Sequence, residues 1–159
     1  LPAYCAKIKE GGADKKRAEL SGDEATVGER FNTYSENKIS VNAGGIIENW
    51  FSEKDTASWK FYADEAGEYD VVLYTLSQKY TPWKGGHKVH FECNGTKKGK
   101  ILTADFTAVG ANKKYFDETG SFIGKAAVKK GENVLRLVAD GINPEDLGGL
   151  CVSKIILSK

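Results

Sequence analysis

The segment Gln78-Lys79-Tyr80-Thr81-Pro82-Trp83-Lys84-Gly85-Gly86-His87 is where residue types and spacing come nearest to chemistry. It separates two apolar runs and carries Tyr80, Trp83 and His87 beside paired glycines, so it reads as a loop. An exposed Trp is uncommon enough to need a reason. A flat indole presents its face to the axial C–H surface of a sugar, while polar loop groups bond the hydroxyls. Were Trp83 to cover roughly 100 Å² of apolar ligand surface, ~25 cal/mol/Å² gives about 2.5 kcal/mol. Millimolar binding requires about 4 kcal/mol, so a second contact group is needed. The alternative is that Tyr80 and Trp83 form an aromatic lid over the core. Trp50 and Trp59 are expected to pack inside it.

Catalytic constellations are weaker. The two histidines are His87 and His90. On an extended strand, positions three apart point to opposite faces, so the two do not chelate one ion together. Glu92 and Cys93 do not complete a tetrahedral zinc spacing, and metal ligation stays unknown. A nucleophile needs a base and an orienting partner. Neither a Gly-x-Ser-x-Gly elbow nor a reactive-cysteine signature occurs. Acidic residues mostly alternate with Lys on turns, as solvated surface does. A glycosidase carboxylate pair meets in space rather than in sequence, so spacing alone does not exclude one. The expectation is a non-catalytic chain. Asn94-Gly95-Thr96 fits an N-glycosylation acceptor, but Asn-Gly also makes a tight hairpin turn, and the turn needs no further assumption.

The 159 residues are expected to form one domain, 1–159. Hydrophobic residues are 40% and charged residues 28%, which a globular core accommodates. Lys plus Arg is 23 against 22 for Asp plus Glu, and the net charge of +1 removes the footprint of a general nucleic-acid binder. It gives no attraction to an anionic membrane either. No stretch approaches the ~18 apolar residues of a spanning helix, and no signal-peptide core is visible. A chain that begins at Leu1 and contains no Met reads as a processed product or a piece of something longer. Cys5, Cys93 and Cys151 are an odd set and cannot all pair internally. Cys93 and Cys151 sit in apolar runs and read as small buried hydrophobes.

Positioning falls to short strands. Residues 1–37 form a polar lead-in, with Lys7 to Glu19 either irregular or a short helix and Ala18-Glu19-Leu20 a first strand ended by Ser21-Gly22-Asp23. Lys38–Ala43, Ser58–Ala63, Lys88–Cys93 and Val134–Ala139 alternate polar and apolar, so each predicts a strand with one wet face. Tyr69–Leu76 is apolar almost throughout and predicts a central strand covered on both faces. Asn94-Gly95 predicts a hairpin whose returning arm runs through about Lys100-Ile101-Leu102. Gly120–Val128 and Leu150–Leu157 supply two more strands. Many short strands with hairpin turns and no convincing helix give an all-β chain, an antiparallel sandwich or barrel.

The order of motifs adds a resemblance. Asn49-Trp50-Phe51, Ala57-Ser58-Trp59-Lys60-Phe61 and Ala66-Gly67-Glu68-Tyr69-Asp70-Val71 precede Lys130-Gly131-Glu132-Asn133-Val134-Leu135-Arg136-Leu137. Gly149-Leu150 and Lys154-Ile155-Ile156-Leu157 follow. This series resembles the galactose-binding-like β-jelly roll, an antiparallel β-sandwich. It looks like the carbohydrate-binding modules of families six and thirty-five and the C-terminal β-sandwich of bacterial fucosidases, over roughly residues 39–157. Gly67, Gly131 and Asn133 have turn roles there, so these motifs specify fold rather than ligand.

The resemblance implies a ligand on loops at one edge of the sandwich, here Phe31–Asn37, Tyr80–His87, Asn112–Asp117 and Asn143–Asp146. It makes Tyr80, Trp83, His87, Tyr115, Asn143 and Asp146 the candidate ligand-binding residues. It also raises a structural calcium, for which Glu10, Glu19 and Glu24 are candidates in no clear motif. The implied partners are an oligo- or polysaccharide and the catalytic domain of a parent multidomain protein, with no nucleic acid and no membrane span. The implied location is extracellular or at the cell surface. Three readings compete: a non-catalytic carbohydrate-binding module, a structural β-sandwich bracing a glycoside hydrolase without binding glycan itself, and a small stand-alone enzyme.

Overall fold

The computed structural model describes residues 3–10, 13–27, 39–53, 55–78, 84–102, 116–146 and 148–159. Its strands are β1 (Ala3–Glu10), β2 (Ala13–Ser21), β3 (Thr26–Val27), β4 (Ser40–Val41), β5 (Ile47–Trp50) and β6 (Thr56–Ala63). They continue as β7 (Gly67–Gln78), β8 (Lys88–Cys93), β9 (Thr96–Ile101), β10 (Phe116–Val128), β11 (Gly131–Gly141) and β12 (Leu150–Ser158). One layer runs β9-β8-β11-β6, with β3 and the first residues of β1 against β6. The other runs β10-β7-β12, with β2 and β5 sharing the far side of β12 and β4 on β5. Strand β1 changes layer: Ala3–Cys5 lie parallel to β6, and Ala6–Glu10 pair antiparallel with β2. Among the described residues the other pairings are antiparallel, so the chain is an all-β, antiparallel sandwich.

Period-two patterning does what the sequence predicts in the β9-side layer. Trp59 and Phe61, Val89 and Phe91, and Leu135 and Leu137 are all buried between the sheets, with Lys60, Glu92 and Arg136 alternating outward. Trp50 and Trp59 are both core residues. Along β12 the inward parity changes. Leu150 and Val152 point in, a bulge falls between Val152 and Lys154, and Ile155 and Leu157 point in after it. That bulge moves the inward set from even to odd positions across Ser153-Lys154. The Asn94-Gly95 hairpin forms as predicted, with positive φ of 48° and 83° and Cys93 opposite Thr96. Asn133 is buried beneath the β10–β11 turn. Its side chain bonds both the N–H and the carbonyl of Lys129 and the carbonyl of Gly131, and accepts from Asn94.

Three expectations are corrected. The lead-in over 1–37 is not irregular or helical where it is described: β1 and β2 form an antiparallel pair, and Ala18-Glu19-Leu20 is the inner part of β2. Their polar Lys/Glu faces conceal the pattern, and the pairing that holds them is long-range, to β6 and β12. Strand β7 is central by pairing, but only one face is covered. Tyr69, Val71, Leu73 and Thr75 are buried, while Asp70, Val72 and Tyr74 are half-buried. Cys151 is half-buried rather than buried, because it alternates with the inward Leu150 and Val152. All three cysteines are free thiols.

Candidate functional site

Strand directions bring four connections to one end of the sandwich. Trp50 at the end of β5 pairs with Leu150 at the start of β12, Gln78 ends β7 opposite Phe116, and Lys88 starts β8 opposite Gly141 and Ile101. The flanks of 51–55, 79–87, 103–115 and 142–149 therefore stand together. Tyr80, Trp83 and Tyr115 lie outside the described residues, as do Phe31–Asn37. His87, Asn143 and Asp146 are described, and the fold joins them.

Gly85 and Gly86 adopt φ of 65° and 77°, a left-handed pair open to glycine at little cost. The Gly86 N–H donates to the Leu102 carbonyl at 2.6 Å, and the Leu102 N–H donates back to His87 at 2.8 Å. The segment is thus pinned to the end of β9. Asn143 grips it from the other side, its side-chain amide donating to the Gly85 carbonyl at 3.0 Å and its backbone N–H to His87 Nδ1 at 3.1 Å. An accepted hydrogen bond requires a lone pair on Nδ1, so the proton sits on Nε2. Nε2 donates to Asp146 Oδ2 at 2.9 Å. Two successive turns shape 142–149, closed by Asp146 N–H to Asn143 and Gly149 N–H to Asp146. Asn143 Oδ1 also accepts from the Glu145 N–H.

This arrangement is a brace. The His87 ring is fully buried and Asp146 is 7% exposed, so neither presents its polar atoms to a ligand in this conformation. They tie Gly85–His87 to Asn143–Asp146, and Asn143 is half-buried beside them. The sequence names all three as candidate ligand contacts; in the fold His87 and Asp146 are buried and hydrogen-bonded to each other. In the sequence Phe51 reads only as part of a fold motif. Phe51 is 39% exposed, and its ring lies so close over Gly149 that a Cβ there would sit 2.9 Å from it. Its signal was an aromatic following a core Trp at the end of a strand. Beside this loop, burial first, then Glu48 and Asp146, push the Cys151 thiol up to about 11, which disfavours the thiolate.

His87 and His90 serve different carboxylates. His90 Nδ1 lies 2.6 Å from Asp140 Oδ2, on the β8–β11 surface away from Asp146. Among the described residues, no three His, Cys, Asp or Glu side chains gather where a metal could sit. Glu19 lies 3.7 Å from Lys154 Nζ, a neighbour that opposes calcium ligation. The described donors do not fit the calcium that the resemblance raised. No helix of the described residues is long and apolar enough to cross a membrane.

A scan of protein-family models and a search of curated proteins find no match to this chain. Solved structures do match. A family 35 carbohydrate-binding module from Clostridium thermocellum superposes with a TM-score of 0.52 at 13% identity, covering 89% of this chain and 97% of that one. A GH26-CBM35 β-(1,4)-mannanase from Podospora anserina gives 0.52 at 12% identity, over 89% of this chain and 27% of the mannanase. An α-L-fucosidase from Vibrio sp. strain EJY3 gives 0.52 at 15% identity, over 75% of this chain and 23% of the enzyme. The chain therefore spans nearly all of an isolated module and about a quarter of each enzyme. At such identities the likeness is one of fold, and the fold is the β-sandwich of carbohydrate-binding modules.

Proposed function

We propose that the chain is a non-catalytic carbohydrate-binding module that holds a glycan-active enzyme or surface protein near its polysaccharide, outside the cell. Its fold is that of modules whose role is binding, and it matches one such module along nearly its full length. The observation that carries the reading is the His87–Asp146–Asn143 brace. It fixes Gly85–His87, the root of the loop that bears Tyr80 and Trp83, against loop 142–149. Trp83 and Tyr80 supply stacking faces, Tyr115 and the Asn143 amide supply edge contacts, and Phe51 borders the same end. An anchored root lowers the ordering cost that a flexible loop pays on binding.

Affinity electrophoresis through gels containing neutral or acidic polysaccharides tests the proposal. Retardation of the wild type on at least one glycan, lost in Trp83→Ala, supports it. Absence of retardation on every glycan favours the structural sandwich that braces a neighbouring hydrolase. Hydrolysis of a chromogenic glycoside by the chain contradicts the non-catalytic assignment.

A further inference from the structure

Edge strand β9 reads Thr96-Lys97-Lys98-Gly99-Lys100-Ile101, and Lys88 stands opposite its end. Register sorts these cations. Lys98 and Lys100 oppose the buried Phe91 and Val89, so they lie on the core-facing side of the sheet at its rim; Lys97 and Lys88 lie on the outer side. A hollow of about 450 Å³ opens on the strand, lined by Lys88, Lys97, Lys100 and Ile101. A second, of about 410 Å³, lies between Lys98, Lys100 and the β10 residues Phe122 and Gly124. Phe122 and Ile101 are 49% and 59% exposed, which puts apolar surface beside the cations.

Lysines on an edge strand also deter edge-to-edge pairing. That role needs charge but neither unpaired cations nor concavity, and both are present. Lys16, Lys60, Lys125, Lys154 and Lys159 each lie within 4 Å of a carboxylate. Among the described residues no carboxylate pairs with Lys88, Lys97, Lys98 or Lys100. The acidic residue in the first hollow, Asp140, is tied to His90 at 2.6 Å. A chain of net charge +1 thus concentrates three free cations on β9 and a fourth, Lys88, opposite its end on β8.

We infer that the β9 edge is a second binding surface, separate from the end loops, for a polyanionic saccharide bearing carboxylate or sulfate groups. The ligand class rests on the carbohydrate-binding reading; the surface does not. Lysines supply point charges to the anionic groups, and Phe122 and Ile101 cover the apolar side of the sugar rings. The chain's weak overall field disfavours nucleic acid, which calls for a basic domain.

Biolayer interferometry on immobilised polygalacturonate, dextran sulfate, a neutral mannan and single-stranded DNA tests this. Lys97→Glu/Lys98→Glu/Lys100→Glu should weaken binding to an acidic polymer about tenfold or more, from several exposed charge contacts in sum. The milder Lys97→Gln/Lys98→Gln/Lys100→Gln should weaken it in the same direction without new like-charge contacts to Glu92. Lys15→Glu/Lys129→Glu/Lys130→Glu, with the same change in net charge, should leave it within about twofold if the site is local. The inference is overturned if that control weakens binding equally, or if DNA binds as tightly as either acidic polymer. Acidic-polymer binding that is lost in Trp83→Ala but kept by the β9 variants overturns it while the proposed function stands. Failure of all the polysaccharides to bind overturns both.

Discussion

Replacing Asp146 by Ala tests the brace most sharply. The carboxylate is 7% exposed and accepts from a fully buried His87 Nε2 at 2.9 Å. A hydrogen bond to a charged group is worth about 1.5–3 kcal/mol, and the truncation leaves a buried N–H donor behind. A loss of about 2 kcal/mol is therefore expected. In a chain of this size it lowers Tm by roughly 4–8 °C. Asp146→Asn keeps an oxygen acceptor in place and should cost about 1 kcal/mol or less. The effect should also be local. Amide exchange at Gly86, His87 and Asn143 should speed up in Asp146→Ala, while the β6, β8 and β11 amides change only with global stability. Differential scanning calorimetry with native-state hydrogen exchange reads both quantities. An unchanged Tm in Asp146→Ala, or equal losses for Ala and Asn, would refute the brace.

Other consequences are equally concrete. Trp59 Nε1 donates to the Ser21 carbonyl at 2.7 Å, whereas Trp50 Nε1 is buried without a partner among the described residues. Trp59→Phe should therefore cost about 1 kcal/mol more than Trp50→Phe, read as a Tm roughly 2–4 °C lower. Asn133→Ala removes four hydrogen-bond contacts under the β10–β11 turn and should destabilise by about 3 kcal/mol in urea unfolding. Burial pushes the Cys93 thiol from 9.0 up to about 11. Its neutral form is favoured by the fold, so its contribution is present below the unfolded value and is lost as pH rises toward the folded one. Urea midpoints should record a loss of about 2 kcal/mol between about pH 8 and about pH 10.5 that Cys93→Val does not share.

The sandwich was legible where one face of a strand is apolar and the other charged, as in Ser58–Ala63, Lys88–Cys93 and Val134–Ala139. The Asn94-Gly95 turn was legible for a local reason, since two residues tolerating positive φ suffice to set it. Strands β1 and β2 were hidden because Lys7, Lys15 and Lys16 mask a sparse inward set, and partners in β6 and β12 decide their conformation. The β12 bulge was hidden because the parity change falls at Ser153-Lys154, where no turn residue marks it. At the site, composition singled out the segment around Tyr80 and Trp83, which lies outside the described residues. Composition did not reveal the brace, because His87 and Asp146 lie 59 positions apart. Gly85 and Gly86 are left-handed and held in place, Gly86 by the Leu102 carbonyl and Gly85 by the Asn143 amide.

The most direct test of the central claim is a chemical-shift titration of the labelled chain with an oligosaccharide from whichever glycan retards it. The account predicts perturbations centred on Lys84–His87 and Asn143–Asp146, with the Trp83 indole signal among the largest. Shifts centred on the outward face of β7 and β12, with these loops silent, would contradict it.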